Sequence, residues 1–265
     1  MSSRTEILKE IYSRFDEDGR LLRSRQGQLE YVTTMEYIHR FTTDRSKVLE
    51  IGAGTGRYSI ALSKEGHDVT AVELLEKNLG ILKENCKGLD NIRSFQGDAT
   101  DLGFLDNDSF DVTLVFGPMY HLYDPEEVDK AIDEAIRVTK PGGVIMFAFL
   151  SIYALMHTNY LFGNWADGFK ENYSDDYKVK HFKEQFFTGY DVDGFEDLFE
   201  DKPVEWITTA AMDGPLELAE PRPGFEITDE DFKSFAAWHL AYSDKRETLG
   251  SSSHLLYICR RNNAE

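Results

Sequence analysis

The chain has 265 residues, 41% of them hydrophobic, enough to bury one full core with room for an insertion. Its 29 Lys and Arg against 48 Asp and Glu leave a net charge of −19. That field repels phosphate backbones and anionic membrane surfaces, which speaks against nucleic-acid substrates and membrane partners. Cys86 and Cys259, the only cysteines, are too few for a disulfide framework or a metal cluster. The first residues carry no apolar signal region and no run reaches membrane-spanning length, so a cytoplasmic protein is the default expectation.

A capping-box pattern, Ser3-x-x-Glu6, opens a helix over residues 3–15, with Ile7, Leu8, Ile11, Tyr12 and Phe15 at helical spacing. Asp16–Gly19 is a turn. Leu21–Phe41 is a second helical region with Leu29, Val32, Met35 and Ile38 on one face. Residues 1–46 thus form a helical arm ahead of the main domain, residues 47–265.

That domain opens on Lys47–Arg57. Val48, Leu49 and Ile51 suit a buried parallel strand, Gly52, Gly54 and Gly56 make a turn, and a helix resumes at Tyr58–Lys64. Strand, glycine turn and helix in this order make a nucleotide-type site, because glycines admit a ligand to the backbone and the helix start offers free N–H donors. A dinucleotide fingerprint needs glycine at the sixth position, where Arg57 stands, so a nicotinamide-dependent oxidoreductase is disfavoured. A phosphate-cradling loop fails too, since no lysine follows the glycines.

Asp68–Val72 is a second strand ending at Glu73, and Leu75–Lys87 a helix. Ile92–Phe95 makes a third strand, running into Gly97-Asp98-Ala99. Phe110–Phe116 makes a fourth, running into Gly117-Pro118-Met119-Tyr120-His121-Leu122. Pro125–Val138 is an amphipathic helix, Pro141–Gly143 a turn, and Val144–Leu150 an apolar fifth strand. An insertion follows at about 151–202. Its 38 residues Tyr153–Tyr190 hold 11 of the chain's 34 aromatics, twice the share their length predicts, which suits a helical lid. Most of those rings are expected to pack the lid onto the sheet, with two or three lining an acceptor pocket. Val204–Met212 is a sixth strand, Asp229–Lys245 a helix capped by Thr228-x-x-Asp231, and Ser253–Arg260 the last strand.

The run Leu49-Glu50-Ile51-Gly52-Ala53-Gly54-Thr55-Gly56, with acidic Glu73 ending the next strand, resembles the class I S-adenosylmethionine (SAM) dependent methyltransferases. Arg25-x-Gly27-x-x-Glu30-Tyr31 and Gly117-Pro118-x-Tyr120-His121-Leu122 look like their small-molecule, ubiquinone/menaquinone methylase-like (type 11) branch. The resemblance implies an α/β, Rossmann-like fold: a mostly parallel seven-stranded sheet with helices on both faces, the last strand antiparallel between the fifth and sixth. It implies SAM as cofactor, S-adenosylhomocysteine (SAH) as product, and a small-molecule acceptor methylated on oxygen, nitrogen or carbon. A SAM-binding regulatory protein without transfer activity is the alternative.

The residues that the resemblance places at the cofactor are Glu50, Gly52, Ala53, Gly54, Gly56, Glu73, Leu74, Asp98, Ala99, Phe116 and Gly117, with Tyr31 and Arg25 from the arm. Glu73 would accept the ribose hydroxyls, and Asp98 the adenine amino group unless it serves only as a turn aspartate. Arg25 and Glu30 could equally be solvated helix charges. His121, titrating near neutrality beside the reacting end, is the candidate base and Tyr120 the orienting donor; His121 could instead only shape its loop. His157 on the lid is a weaker candidate. His39, His67, His181, His239 and His254 form no constellation in the sequence and count as structural, and no metal site is expected.

Overall fold

The computed structural model describes residues 4–14, 18–183, 185 and 187–263. Ser3, Phe15 and Asp16 of the expected arm lie outside them. The sheet comprises β1 (Lys47–Ile51), β2 (Asp68–Glu73), β3 (Ile92–Gln96), β4 (Phe110–Val115), β5 (Thr139–Ser151), β6 (Gly189–Tyr190), β7 (Val204–Ala211) and β8 (His254–Arg261). Its spatial order is β3-β2-β1-β4-β5-β8-β7, with β8 antiparallel to both neighbours and the other pairings parallel. The mostly parallel sheet and the antiparallel insertion of the last strand are as the resemblance implied, and the short β6 is one strand more than it implied. The pairing of β4 with β5 ends at Phe147, which leaves Leu150 and Ser151 free to pair with β6.

Alternation along the central strands builds two apolar layers, because successive side chains in a strand face opposite ways. Leu49, Ile51, Ile145, Phe147, Phe149 and Tyr257 pack beneath α6 (Pro125–Val138), whose Val128, Ile132 and Ala135 are buried. Val48, Val112, Leu114, Met146 and Leu256 pack on the other face against α4 (Arg57–Lys64) and the arm. The arm is α1 (Arg4–Arg14), α2 (Arg20–Arg23) and α3 (Arg25–His39). Leu29, Met35 and Ile38 of α3 are buried as its periodicity predicts, but Val32 is exposed. Pro141–Gly143 is an irregularity inside β5 rather than a turn outside it: Phe110 faces Thr139, yet Val112 faces Val144.

The insertion carries α7 (Ile152–Tyr160) and α8 (Trp165–Asn172), then closes on the sheet through α9 (Val192–Glu196). Most of its rings do not reach a pocket; Tyr153, Phe162, Trp165 and Tyr177 are exposed. Between β2 and β3 lies α5 (Glu76–Asn85), and between β7 and β8 lie α10 (Leu216–Ala219) and α11 (Asp229–Tyr242), both in contact with α3 of the arm, and the short α12 (Arg246–Leu249). Thr228 caps α11, its side chain accepting from the Asp231 N–H at 3.1 Å, as the sequence predicts. Among the described residues no helix is long and apolar enough to cross a membrane.

Phe195 joins the insertion to the sheet. Fully buried, it stacks on Phe149 of β5 with centroids 3.9 Å apart and planes 3° from parallel. Phe195→Ala should cost about 3–5 kcal/mol, the usual penalty for a truncated core aromatic, read as a lowered denaturation midpoint; an unchanged midpoint would show that the insertion does not depend on this contact.

Candidate active site

In an open parallel sheet the concave region lies beyond the carboxyl ends of the strands, where the order reverses. Here that edge holds one cavity of about 400 Å³, lined by the loops after β1, β2, β3 and β4, by the arm, and by the start of β8. Its floor is the glycine turn. Gly52, Gly54 and Gly56 have φ of +81°, +56° and +92°, a left-handed backbone that costs other residues strain. A Cβ on Gly52 would lie 2.4 Å from the Phe116 carbonyl oxygen, so the loops after β1 and β4 meet as closely as backbone allows.

The two acidic residues of this floor differ in their tasks. Glu73 accepts from the Gly54 and Leu75 N–H groups, each at 2.8 Å, which pins it beside the glycine turn. A carboxylate has further lone pairs for ligand hydroxyls. Glu50 instead accepts from the Ser59 N–H at 2.9 Å and from its hydroxyl. Gly56, at the N-cap of α4, has no side chain to do this, so Glu50 supplies the missing cap from β1. Burial pushes the Glu50 carboxyl up to about 7 against the pull of the Ser59 bonds, and the nearby Glu73 adds to the rise.

At the end of β3, Gly97, Asp98 and Ala99 line the cavity. Asp98 accepts from Thr100 N at 3.0 Å and Thr100 Oγ1 at 2.9 Å, as a turn aspartate does, and also pairs with Arg4 of α1. Burial alone would raise its carboxyl, but the Thr100 bonds and the Arg4 guanidinium hold it below its ordinary value. Beyond β4, His121 Nε2 lies 2.9 Å from the Tyr12 hydroxyl, and its ring rests 5.3 Å from Phe187. The Thr188 N–H donates to the Tyr120 carbonyl at 2.7 Å, tying the insertion to this loop. Burial pushes the Tyr120 phenol well above its usual range.

A methyltransferase-domain family matches residues 48–143. A demethylmenaquinone methyltransferase of Clavibacter sepedonicus is 37% identical over 146 residues, 55% of this chain and 57% of that protein. The chain thus spans little more than half the length of that relative. One of Staphylococcus haemolyticus is 29% identical over 91% of this chain and 94% of its own. A SAM-dependent methyltransferase structure from Methanosarcina mazei superposes with a TM-score of 0.57 at 16% identity, covering 86% of this chain and 98% of its own, and supports the fold.

Residues 48–143 form a methyltransferase domain.

Within this fold the cavity gathers Glu50, Gly52, Ala53, Gly54, Glu73, Leu74, Asp98, Ala99, Phe116, Gly117, Tyr120 and His121. Three residues expected at the cofactor are not among its lining. Gly56 lies under α4, packed toward Leu82 and Ile60. Tyr31 sits one layer back, stacked on Tyr58 at 5.5 Å with the Arg57 guanidinium over its ring; Tyr58 is the residue that faces the cavity. Arg25 turns away altogether, pairing with Asp229 and covering the Phe232 ring at 4.8 Å, because it starts α3 on the side facing α11. Arg20, five residues earlier, lines the cavity instead.

Among the described residues of the insertion, Phe187 is the one ring that lines the cavity, and Leu155 joins it. His157 lies beside Trp165, at 6.4 Å, and not in the cavity. His39 pairs with Glu65, while His181 and His239 bond backbone carbonyls, so a structural role holds for these three. For His254 it does not: the ring lines the cavity and joins Asp213, Glu30 and Gln26 in a polar network. Tyr12, Arg20, Gln26 and His254 were invisible as site residues in the sequence. No spacing signal links Tyr12 with His121 or Gln26 with His254, 109 and 228 positions apart.

Two outcomes follow from Glu50. Glu50→Ala should cost about 1–3 kcal/mol for leaving the buried Ser59 donors unsatisfied, measured by denaturant unfolding, whereas Glu50→Gln should retain most of that stability. Because the folded carboxyl is raised to about 7 from 4.5, its contribution is full below 4.5 and is lost as pH rises through about 7. Stability of the native protein relative to Glu50→Gln should therefore fall across that window; a flat difference would show the carboxyl is not raised.

Proposed function

We propose that this protein transfers a methyl group from SAM to a small, quinol-like acceptor. The observation that carries the reading is the pinned glycine turn, Gly54 N–H to Glu73 carboxylate, opening into the same cavity as Tyr120 and His121. The donor set suits an adenosyl ligand without phosphate. Backbone N–H groups border the glycine turn, and the Glu73 carboxylate beside it can accept hydrogen bonds from ligand hydroxyls. SAM supplies, when bound, an electrophilic methyl group on a sulfonium.

Glu73 would hold the ribose hydroxyls and the Gly52–Gly54 backbone would flank the chain of the cofactor. Asp98 and Ala99 would border the adenine. Phe116, Tyr58 and Leu155 exclude water from the neighbouring space, and positioning in such a water-poor pocket is the main catalytic device available to a displacement of this kind. His121 would take the proton lost from the acceptor atom that receives the methyl group, with Tyr12 holding its ring in place through the 2.9 Å contact. The acceptor class rests on the demethylmenaquinone methyltransferases to which the chain is similar.

Calorimetric titration with SAH, followed by product analysis after incubation with SAM and 1,4-naphthoquinol under anaerobic conditions, tests both parts. Tight SAH binding with methylated product is expected, and no SAH binding would overturn the reading. Glu73→Ala should weaken SAH by about 1–3 kcal/mol, the scale of hydrogen bonds to a charged group; an unchanged Kd would remove Glu73 from the ribose site. His121→Ala should lower turnover with SAH affinity near that of the native protein, and full activity would rule it out as the base.

A further inference from the structure

The far end of the cavity, over the tips of β5, β8 and β7, has a chemistry that the cofactor floor does not explain. Asp213 follows β7, and His254 begins β8 opposite Leu150 of β5, so both stand at the same carboxyl edge as the glycine turn. Asp213 is fully buried and accepts from Ser252 Oγ at 2.6 Å, Ser253 N at 2.9 Å and His254 N at 3.2 Å. Its other oxygen takes His254 Nδ1 at 2.7 Å and Gln26 Nε2 at 2.6 Å. Glu30, buried on α3, lies 3.7 Å from His254 Nδ1 and is gripped by both terminal nitrogens of Arg20, at 2.8 and 2.9 Å.

Two cations and two carboxylates balance only when the imidazole is protonated. Burial opposes that charge, but Glu30 and Asp213 outweigh it and push His254 up to about 9, and Asp213 moves below its ordinary value in concert. With Nδ1 committed to Asp213, the ring offers Nε2–H, for which no hydrogen-bond partner is found among the described residues. Around it the cavity wall is apolar: Leu150, Leu155, Met212 and Leu256, with the Tyr120 ring edge-on at 6.0 Å. Glu30, Asp213 and His254 bring potential metal-ligand atoms within 4.8 Å of one another, but Arg20 and Gln26 already aim N–H donors at those carboxylates, which a cation would have to displace.

We infer that this end of the cavity binds the acceptor through an ionisable ring hydroxyl, phenolic or enolic, taken up as its anion on His254 Nε2–H. The inference rests on the methyl-transfer reading for the word acceptor, but the site is defined by its own residues. On binding, the O–H bond breaks, the electron pair stays on oxygen, and the proton leaves to solvent. The oxyanion then receives a charge-assisted hydrogen bond, stronger than a neutral one. Asp213 is a positioning residue: it fixes the ring so that Nε2, not Nδ1, faces the ligand. The groups facing His254 are Glu30 and Gln26 of α3, Arg20 of α2, Tyr120 after β4 and Asp213 after β7, while Glu217 of α10 borders the same space.

The test uses the full chain saturated with SAH and 4-nitrophenol as probe, since its colour reports ionisation. The native protein should bind it as the phenolate and raise its ionisation constant at least about tenfold. Affinity for the phenolate should fall as pH rises through about 9, where the donor proton is lost. His254→Gln, shown to be folded by its SAH affinity, should bind the phenolate at least about tenfold more weakly and leave the probe's ionisation unshifted. Equal phenolate binding in His254→Gln, or uptake of only the neutral phenol by the native protein, would overturn the inference. Should His254→Gln fail to fold, a phenolate affinity of the native protein that does not change with pH would overturn it as well. Loss of SAH binding in the native protein would instead overturn the methyl-transfer reading, so the two failures are distinct.

Discussion

Everything at the functional edge depends on the approach of two backbone segments. Gly52 leaves β1 in a left-handed conformation, and its missing Cβ is the space occupied by the Phe116 carbonyl and Pro118. That contact brings the loop after β1 against the loop after β4. The first carries the glycine turn, the second Tyr120 and His121. Any side chain at Gly52 would push the loops apart and open the wall between the two halves of the cavity.

Around this contact the protein spends buried carboxylates in three ways. Glu73 binds the backbone N–H groups of Gly54 and Leu75 and so ties the glycine turn to the end of β2. Glu50 acts as a cap donated from a strand to a helix whose own N-cap is glycine, so its side chain is chiefly a structural tie although it borders the cavity. Asp213 is neutralised by the imidazolium it orients. Burying a carboxylate is costly unless it is bonded, and each of the three is bonded differently.

The arm and the insertion are the adjustable parts. α1 reaches the cavity through Arg4 on Asp98 and Tyr12 on His121, while the insertion adds Leu155 and Phe187. The Arg4 pairing with Asp98 occupies the residue that the family resemblance assigns to adenine, so ligand entry there requires Arg4 to share or release that carboxylate. Of the other described aromatics of the insertion, Tyr190, Phe195 and Phe199 pack into the sheet core, while Phe169 stands beside Tyr173 at 5.7 Å and Tyr153, Phe162, Trp165 and Tyr177 are exposed.

The chain by itself determined the strands and helices, their apolar faces and the glycine floor, because each is written in local patterns: β-runs, a 3.6-residue helical period and φ-permissive turns. The positions of Glu73 and Asp98 at the cavity were legible for the same reason, since Glu73 closes β2 and Asp98 follows β3. What only the tertiary structure decided was which distant side chains meet. His254 is one polar residue at a strand start until β8 folds between β5 and β7 and sets it on Asp213. Tyr12 reaches His121 across more than a hundred positions. Arg25 and Tyr31, which the arm's motif placed at the cofactor, were turned outward or set behind Tyr58 by the rotation of α3, a quantity fixed by packing against α11 and the sheet rather than by any neighbour in the chain.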